Sequence, residues 1–250
     1  ATATPRVLDE IYDYLNITEA NEYSLGTRRT NLAISVRSKF EFSQCEFTQP
    51  TIVYVQTRKL CEKLHREFIT QGISSAKYHG GMKKDEKEKS HELFINAKIM
   101  VIVATISFGM GIDKADIRHV VNYGVPANIE SYYQEIGRAG RDGIQSRATL
   151  YYDDNDFTTT AYLISLSTDE SQIKIKTAGM NIFRNFLQEK IICRQQMIDY
   201  YFDTGKFANE KDVINIPKCN KCDNCMRDDK PEIIDLSKES ELIVSFIKNN

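Results

Sequence analysis

Apolar positions near the start of the chain recur at helical spacing. Val7, Leu8, Ile11 and Leu15 follow Thr4-Pro5, an N-cap residue and a first-turn proline, so the pattern predicts a helix from Pro5 to Leu15. Asn31 to Val36 alternates apolar and polar residues as a strand does. From about Arg37 to Pro50 the chain is polar and unpatterned and reads as a connector. At Thr51 the rhythm changes to strand, helix, strand, helix. Strands are predicted at Thr51–Val55, Ile73–Tyr78, Ile99–Ala104, Ile117–Tyr123 and Ala148–Tyr152. Helices are predicted at Thr57–Gln71, Lys83–Asn96 and Asn128–Glu135. Thr51–Val55 is a short β-branched run, as suits a buried parallel strand, and Ile99–Ala104 is the strongest strand in the chain. After Asp153 the strands stop. Helices are expected at Thr158–Leu166, at Asn181–Ile192 with an apolar stripe through Phe183, Phe186 and Leu187, and from Cys193 to about Phe202. Asp235–Lys248 reads as a last short amphipathic helix.

This alternation predicts an α/β fold: a parallel sheet with helices on both faces, followed by a mostly helical segment. Composition changes little in that picture. With 41% hydrophobic and 27% charged residues the chain is of ordinary globular make-up. A net charge of −2 means that any surface for nucleic acid is local. No run approaches the ~18 apolar residues of a membrane helix, so no membrane partner is expected. The chain opens at Ala1-Thr-Ala-Thr4 without a Met and reads as a piece of a longer protein.

Candidate chemistry gathers at the predicted strand ends, where such sheets bind ligands. Ser131-Tyr-Tyr-Gln-Glu-Ile-Gly-Arg-Ala-Gly-Arg-Asp-Gly143 holds Arg138 and Arg141 three apart among glycines. Two planar guanidinium forks at a helix end suit a polyphosphate. Alone, such a pair is as often solvated. After the strand ending at Ala104 come Thr105-Ile-Ser-Phe-Gly-Met-Gly-Ile-Asp113, with hydroxyls at Thr105 and Ser107 fit for phosphate oxygens. Thr57-Arg58 and His79-Gly80-Gly81 close two further strands, and His79 by itself would more often be structural. Finally, Cys219-x-x-Cys222-x-x-Cys225 with Cys193 upstream offers four thiolates, enough for a closed tetrahedral zinc site. Two disulfides or an iron–sulfur cluster would use the same cysteines; the spacing favours metal and a reducing compartment.

The wording of these strings is more specific than their chemistry. QEIGRAGRDG resembles motif VI of superfamily 2 helicases in the form found in the RecQ family of DNA helicases. VATISFGMGIDKADIRHVVNYG resembles that family's motif V, Thr57-Arg58 its motif IV, and His79-Gly80-Gly81 its YH-x-G-M turn. The Cys193-Arg194 helix with the later cysteines resembles the family's zinc subdomain, with Cys-Arg-Gln in place of Cys-Arg-Arg. The resemblance implies a RecA-like lobe with the following organisation: 1–40 the end of a first helicase lobe and linker, 41–152 the second lobe, 153–230 the zinc-binding subdomain, and 231–250 the start of a winged-helix domain. It implies an ATP-dependent 3′–5′ DNA helicase of repair, recombination or replication, nuclear in a eukaryote and otherwise in the cytoplasm or nucleoid. In it Arg141 and Arg138 act as catalytic arginines, Gln134, Gly111 and Asp113 lie by the nucleotide, and Thr57, Arg58, His79, Gly80, Thr105 and Ser107 lie along DNA. Cys193, Cys219, Cys222 and Cys225 hold structural Zn²⁺. ATP and Mg²⁺ belong to a cleft completed by the first lobe in cis. The sequence contains no Gly-x-x-x-x-Gly-Lys-Ser/Thr loop, so this piece alone is expected to be inactive. Two other readings use the same residues: a superfamily 2 enzyme acting on RNA, and a non-catalytic zinc-containing DNA-binding module.

Overall fold

The computed structural model describes residues 3–109 and 114–228. Six parallel strands form one sheet in the order β1-β6-β5-β2-β4-β3. They are β1 (Leu32–Ser38), β2 (Thr51–Val55), β3 (Ser75–Tyr78), β4 (Val101–Ala104), β5 (His119–Tyr123) and β6 (Ser146–Tyr152). The helices are α1 (Pro5–Leu15), α2 (Arg58–Thr70), α3 (Lys84–Ile95), α4 (Ile129–Ile136), α5 (Asn155–Ser165), α6 (Glu170–Gln188), α7 (Arg194–Thr204) and the short α8 (Asp223–Met226).

Strand side chains alternate between two cores, as the pleat requires. Ile52, Tyr54, Ile102, Val120 and Leu150 face α3 and α4 and, beyond them, α6 and α7. Val53, Val55, Val103 and Val121 face Cys61, Leu64 and Phe68 of α2. The parallel, doubly covered sheet predicted from the alternation is therefore present. Helix α4 is packed on both sides. Its Tyr132 rests 5.4 Å from the Phe183 ring and 5.9 Å from Phe186 of α6, and Tyr133 lies 5.0 Å from Phe202 of α7. The helical segment thus clamps the helix that leads into the two arginines.

Three expectations need correction. Strand β1 pairs with β6 along its full length, from Leu32↔Ser146 to Ser38↔Tyr152. The sheet unit therefore begins at Leu32, not at residue 41; the partner strand lies too far along the chain for local pattern to reveal it. The connector between 37 and 50 contains a 3₁₀ helix over Lys39–Gln44, started by a Ser38–Glu41 capping box. Its Phe42 sits 4.4 Å from the Tyr123 ring, and Phe47 sits 4.8 Å from Phe68, closing the α2 face. Aromatics spaced irregularly in a polar run carry no periodic signal, so only packing reveals them. The helix expected over 181–192 instead runs from Glu170 to Gln188. Its first half is largely exposed and carries no apolar stripe. Asp169 caps it, accepting from the Ser171 and Gln172 amides. It ends because the Glu189 carboxylate takes the amides of Lys190, Ile191 and Ile192, turning the chain toward Cys193. The segments at Ala1-Thr2 and 229–250, including the expected winged-helix start, lie outside the described residues.

Candidate functional site

The carboxyl edge of the sheet gathers most of the predicted residues. Tyr54, next to last in β2, is buried, and its hydroxyl donates to the Phe108 carbonyl at 2.8 Å. Burial drives its pKa upward, and the nearby Arg138 and Arg141 guanidiniums oppose that rise. Arg138 packs under the loop after β4: a Cβ on Gly109 would come within 2.8 Å of its Nη2. A side chain at 109 would push that guanidinium aside. Arg138 makes no ion pair with a carboxylate among the described residues. Arg141 is exposed, as is Gln134 on α4.

Two residues absent from the sequence reading complete this corner. Glu135 is buried and accepts from the Asn122 side chain of β5. Burial pushes its carboxyl up to about 8, against the pull of Asn122 and Arg138, so it is protonated at neutral pH. An Asn inside the otherwise apolar run Val120-Val-Asn-Tyr123 was the one available signal.

The residues expected along nucleic acid form a neighbouring row. The Thr57 hydroxyl accepts from the Leu60 amide at 3.1 Å as the N-cap of α2, leaving its own proton free to donate. Arg58 is exposed and its guanidinium lies over the next turn, where Cβ atoms on Gly80 and Gly81 would sit 3.5 and 3.2 Å from it. Thr105 and Ser107 share a 2.9 Å hydroxyl–hydroxyl bond, and the Thr105 amide donates to the Tyr78 carbonyl. His79 differs from its neighbours. It is buried, its Nδ1 accepts from the Gly81 amide at 3.2 Å, and its Nε2 consequently donates to Glu62 at 2.9 Å. Lys77 pairs with the same carboxylate at 2.7 Å, and Lys77 first and His79 second hold Glu62 below the usual carboxylate range. With both ring nitrogens engaged, His79 shapes the turn and has no donor left for a phosphate. Gly111 and Asp113 lie outside the described residues.

The four cysteine sulfurs all fall within 4.8 Å of one another. Two pairs, Cys219–Cys225 and Cys193–Cys222, stand 3.9 Å apart. A disulfide needs about 2.05 Å, so the cysteines are not bridged. A Zn–S bond of about 2.3 Å sets tetrahedral edges of about 3.8 Å, which the cluster matches. These sulfurs stand too close together to frame several irons. Backbone amides of Arg194, Cys219 and Cys222 point at Cys222, Cys193 and Cys219 sulfurs at 3.3–3.4 Å, an arrangement that stabilises thiolates. The fully buried Arg194 ties this cluster to the sheet. It pairs with Asp223 through Nε and Nη2, both at 3.0 Å, and bonds the Phe186 carbonyl. Asp223 in turn accepts from the Val36 amide on the outer edge of β1 at 3.2 Å, covering an edge that would otherwise be open.

Comparison with known proteins agrees with this geometry. Residues 37–143 match the family described as Helicase conserved C-terminal domain, and 154–226 match RecQ zinc-binding. The ATP-dependent DNA helicase RecQ of Bacillus subtilis is 34% identical over 99% of this chain and 41% of its own length. The Bifunctional 3'-5' exonuclease/ATP-dependent helicase WRN of Mus musculus is 35% identical over 90% of this chain and 17% of its own. A putative ATP-dependent RNA helicase of Acanthamoeba polyphaga mimivirus is 32% identical over all of this chain and 46% of its own. The chain thus spans less than half of each of these relatives. Among solved structures, S. cerevisiae Dbp5 bound to RNA and ADP BeF3 superposes with a TM-score of 0.51 at 21% identity, over 69% of this chain and 52% of that one, a likeness of fold. The parallel sheet, the arginine turn at its carboxyl edge and the four-cysteine cluster all carry the same assignment, and the chain belongs to the RecQ family of superfamily 2 helicases.

Proposed function

We propose that the chain is the second lobe and zinc-binding segment of an ATP-dependent 3′–5′ DNA helicase that works in DNA repair, recombination or replication. A first lobe in cis supplies the phosphate-binding loop and the Mg²⁺ ligands. The observation that carries the reading is the shared corner at the carboxyl edge, where Arg138 packs under the loop bearing Thr105 and Ser107. One face of that corner suits a triphosphate and the other a sugar–phosphate backbone. Arg141 and Arg138 stabilise charge on the departing γ-phosphate, an effect worth ~10³–10⁵ in rate. Gln134 contacts the nucleotide. Thr57, Arg58, Gly80, Thr105 and Ser107 follow one DNA strand by its backbone, so movement needs no sequence preference. A zinc ion at Cys193, Cys219, Cys222 and Cys225 is structural. Alone, this chain does not turn over ATP. In a eukaryote the protein works in the nucleus, otherwise in the cytoplasm or nucleoid.

The test is ATP turnover by the full-length protein with single-stranded DNA or RNA of matched sequence. Stimulation by DNA, and its loss by about 10³-fold in Arg141→Ala, is the expected outcome. The relative named as an RNA helicase keeps RNA as the second reading, and stronger stimulation by RNA would establish it. Turnover unaffected by Arg141→Ala would refute the catalytic role given to that arginine, and no turnover with either nucleic acid would leave a non-catalytic zinc-containing binding module.

A further inference from the structure

Residues 27–31, just ahead of β1, carry no periodic pattern, yet they are bonded at almost every polar group. Thr27 and Arg28 reach α7: the Thr27 hydroxyl donates to Asp199 at 2.7 Å, and Arg28 Nη2 pairs with the same carboxylate at 2.8 Å. The Tyr133 hydroxyl of α4 donates to the Thr27 carbonyl at 2.6 Å. Lys221 of the cysteine loop donates to the Thr30 carbonyl. The other two residues grip the arginine turn. Arg29 Nη2 donates to the carbonyls of Ala139 at 2.9 Å and Gly140 at 2.8 Å, and its Nη1 to Gly137 at 3.4 Å. Asn31 Nδ2 donates to Gly140 at 2.8 Å and Ile144 at 2.9 Å, while its own carbonyl accepts from the Ser146 amide at 2.8 Å.

We infer that Arg29 and Asn31 are positioning residues that hold the 137–144 turn, and with it Arg138 and Arg141, in the orientation needed for ATP turnover. The carbonyls they take are those around the two arginines. Three of them lie in the turn just beyond α4, where no helical ladder supplies their donors. A cation there is also favoured by the helix dipole. The planar guanidinium reaches several carbonyls from one fixed point, which an ammonium does not. Gly140 shows how tight the fit is. Its φ is +59°, and a Cβ would meet Asn31 Nδ2 at 2.6 Å. The strap also joins this turn to α7 and the cysteine loop, so the zinc segment and the arginine turn are held by one short stretch of chain. Arg29 touches no group proposed to contact ATP or DNA; its effect runs through the turn.

This inference rests on the proposed arginine role, and the experiment separates the two. In the full-length protein, Arg29→Lys and Asn31→Ala are each made alone and in an Arg141→Ala background. Single-turnover and steady-state ATP hydrolysis are followed with saturating single-stranded DNA. Expected are a roughly tenfold to hundredfold fall in kcat for each single variant, as small misplacements give, with KM for ATP within about twofold. In the Arg141→Ala background the same changes lower the residual rate by less than about twofold, because residues acting as one unit are non-additive. Arg29→Lys keeps the charge and tests the fork even if Asn31→Ala unfolds. A silent Arg29→Lys beside a disabled Arg141→Ala overturns the strap alone, as does an equal loss in both backgrounds. An active Arg141→Ala overturns the arginine reading and the strap with it.

Discussion

Two glycines three residues apart in the arginine turn make opposite demands on a methyl group, and substituting each by Ala measures how tightly that turn is held. Gly140 and Gly143 both have positive φ, +59° and +82°. An L-residue in that region costs about 1–2 kcal/mol. At Gly143 nothing lies within 4 Å of a built Cβ, so the conformational cost is the whole effect. At Gly140 the Cβ would meet Asn31 Nδ2 and the Ser146 hydroxyl at 2.6 Å and the Ile144 carbonyl at 2.8 Å. One of those is backbone and the other two are bonded side chains, so none can yield cheaply. Displacing Asn31 breaks its two bonds to the turn, each worth about 0.5–1.5 kcal/mol. Gly140→Ala should therefore cost about 2–5 kcal/mol and Gly143→Ala about 1–2 kcal/mol. For a chain of this size each kcal/mol lowers Tm by about 2–4 °C. Thermal denaturation followed by circular dichroism should place Gly140→Ala roughly 2–12 °C below Gly143→Ala. Equal melting temperatures would refute the packing argument, and with it the idea that Asn31 restrains the turn.

Other consequences are open to direct measurement. Metal analysis should find about one zinc per chain and a colourless protein, since four thiolates at these separations fit a single tetrahedral ion; a brown, iron-containing sample would contradict it. Asp223→Ala should cost about 3–5 kcal/mol in chemical denaturation, because it strands the buried Arg194 and frees the β1 edge, whereas a loss below about 1 kcal/mol would mean the pair is dispensable. Glu135 is protonated in the folded chain up to about pH 8 but ionised from near its ordinary value when unfolded, so stability falls as pH rises between those values, by at most about 1.4 kcal/mol per unit. Glu135→Gln should flatten that slope, gaining on the unaltered protein from pH 5 to pH 8; parallel denaturation curves at both pH values would show that Glu135 is ionised in the fold.

Much of this chain could be read without coordinates. Strands buried on both faces are largely apolar, so β2 and β4 stand out as continuous runs between polar helices, and that alternation fixes a parallel sheet. The hydroxyl and glycine strings at the strand ends, the arginine turn and the four cysteines were equally plain, because each is a short local string. What tertiary structure alone decided is what depends on partners distant in the chain. Strand β1 belongs to the sheet because of β6, more than a hundred residues later. His79 is a turn former because Glu62 and the Gly81 amide occupy both its nitrogens. Arg29 and Asn31 acquire a role only through carbonyls at 137 to 144. Periodicity reports which side of an element meets the core. It does not report which polar group meets which, because hydrogen bonds between distant segments leave no regular spacing in the chain.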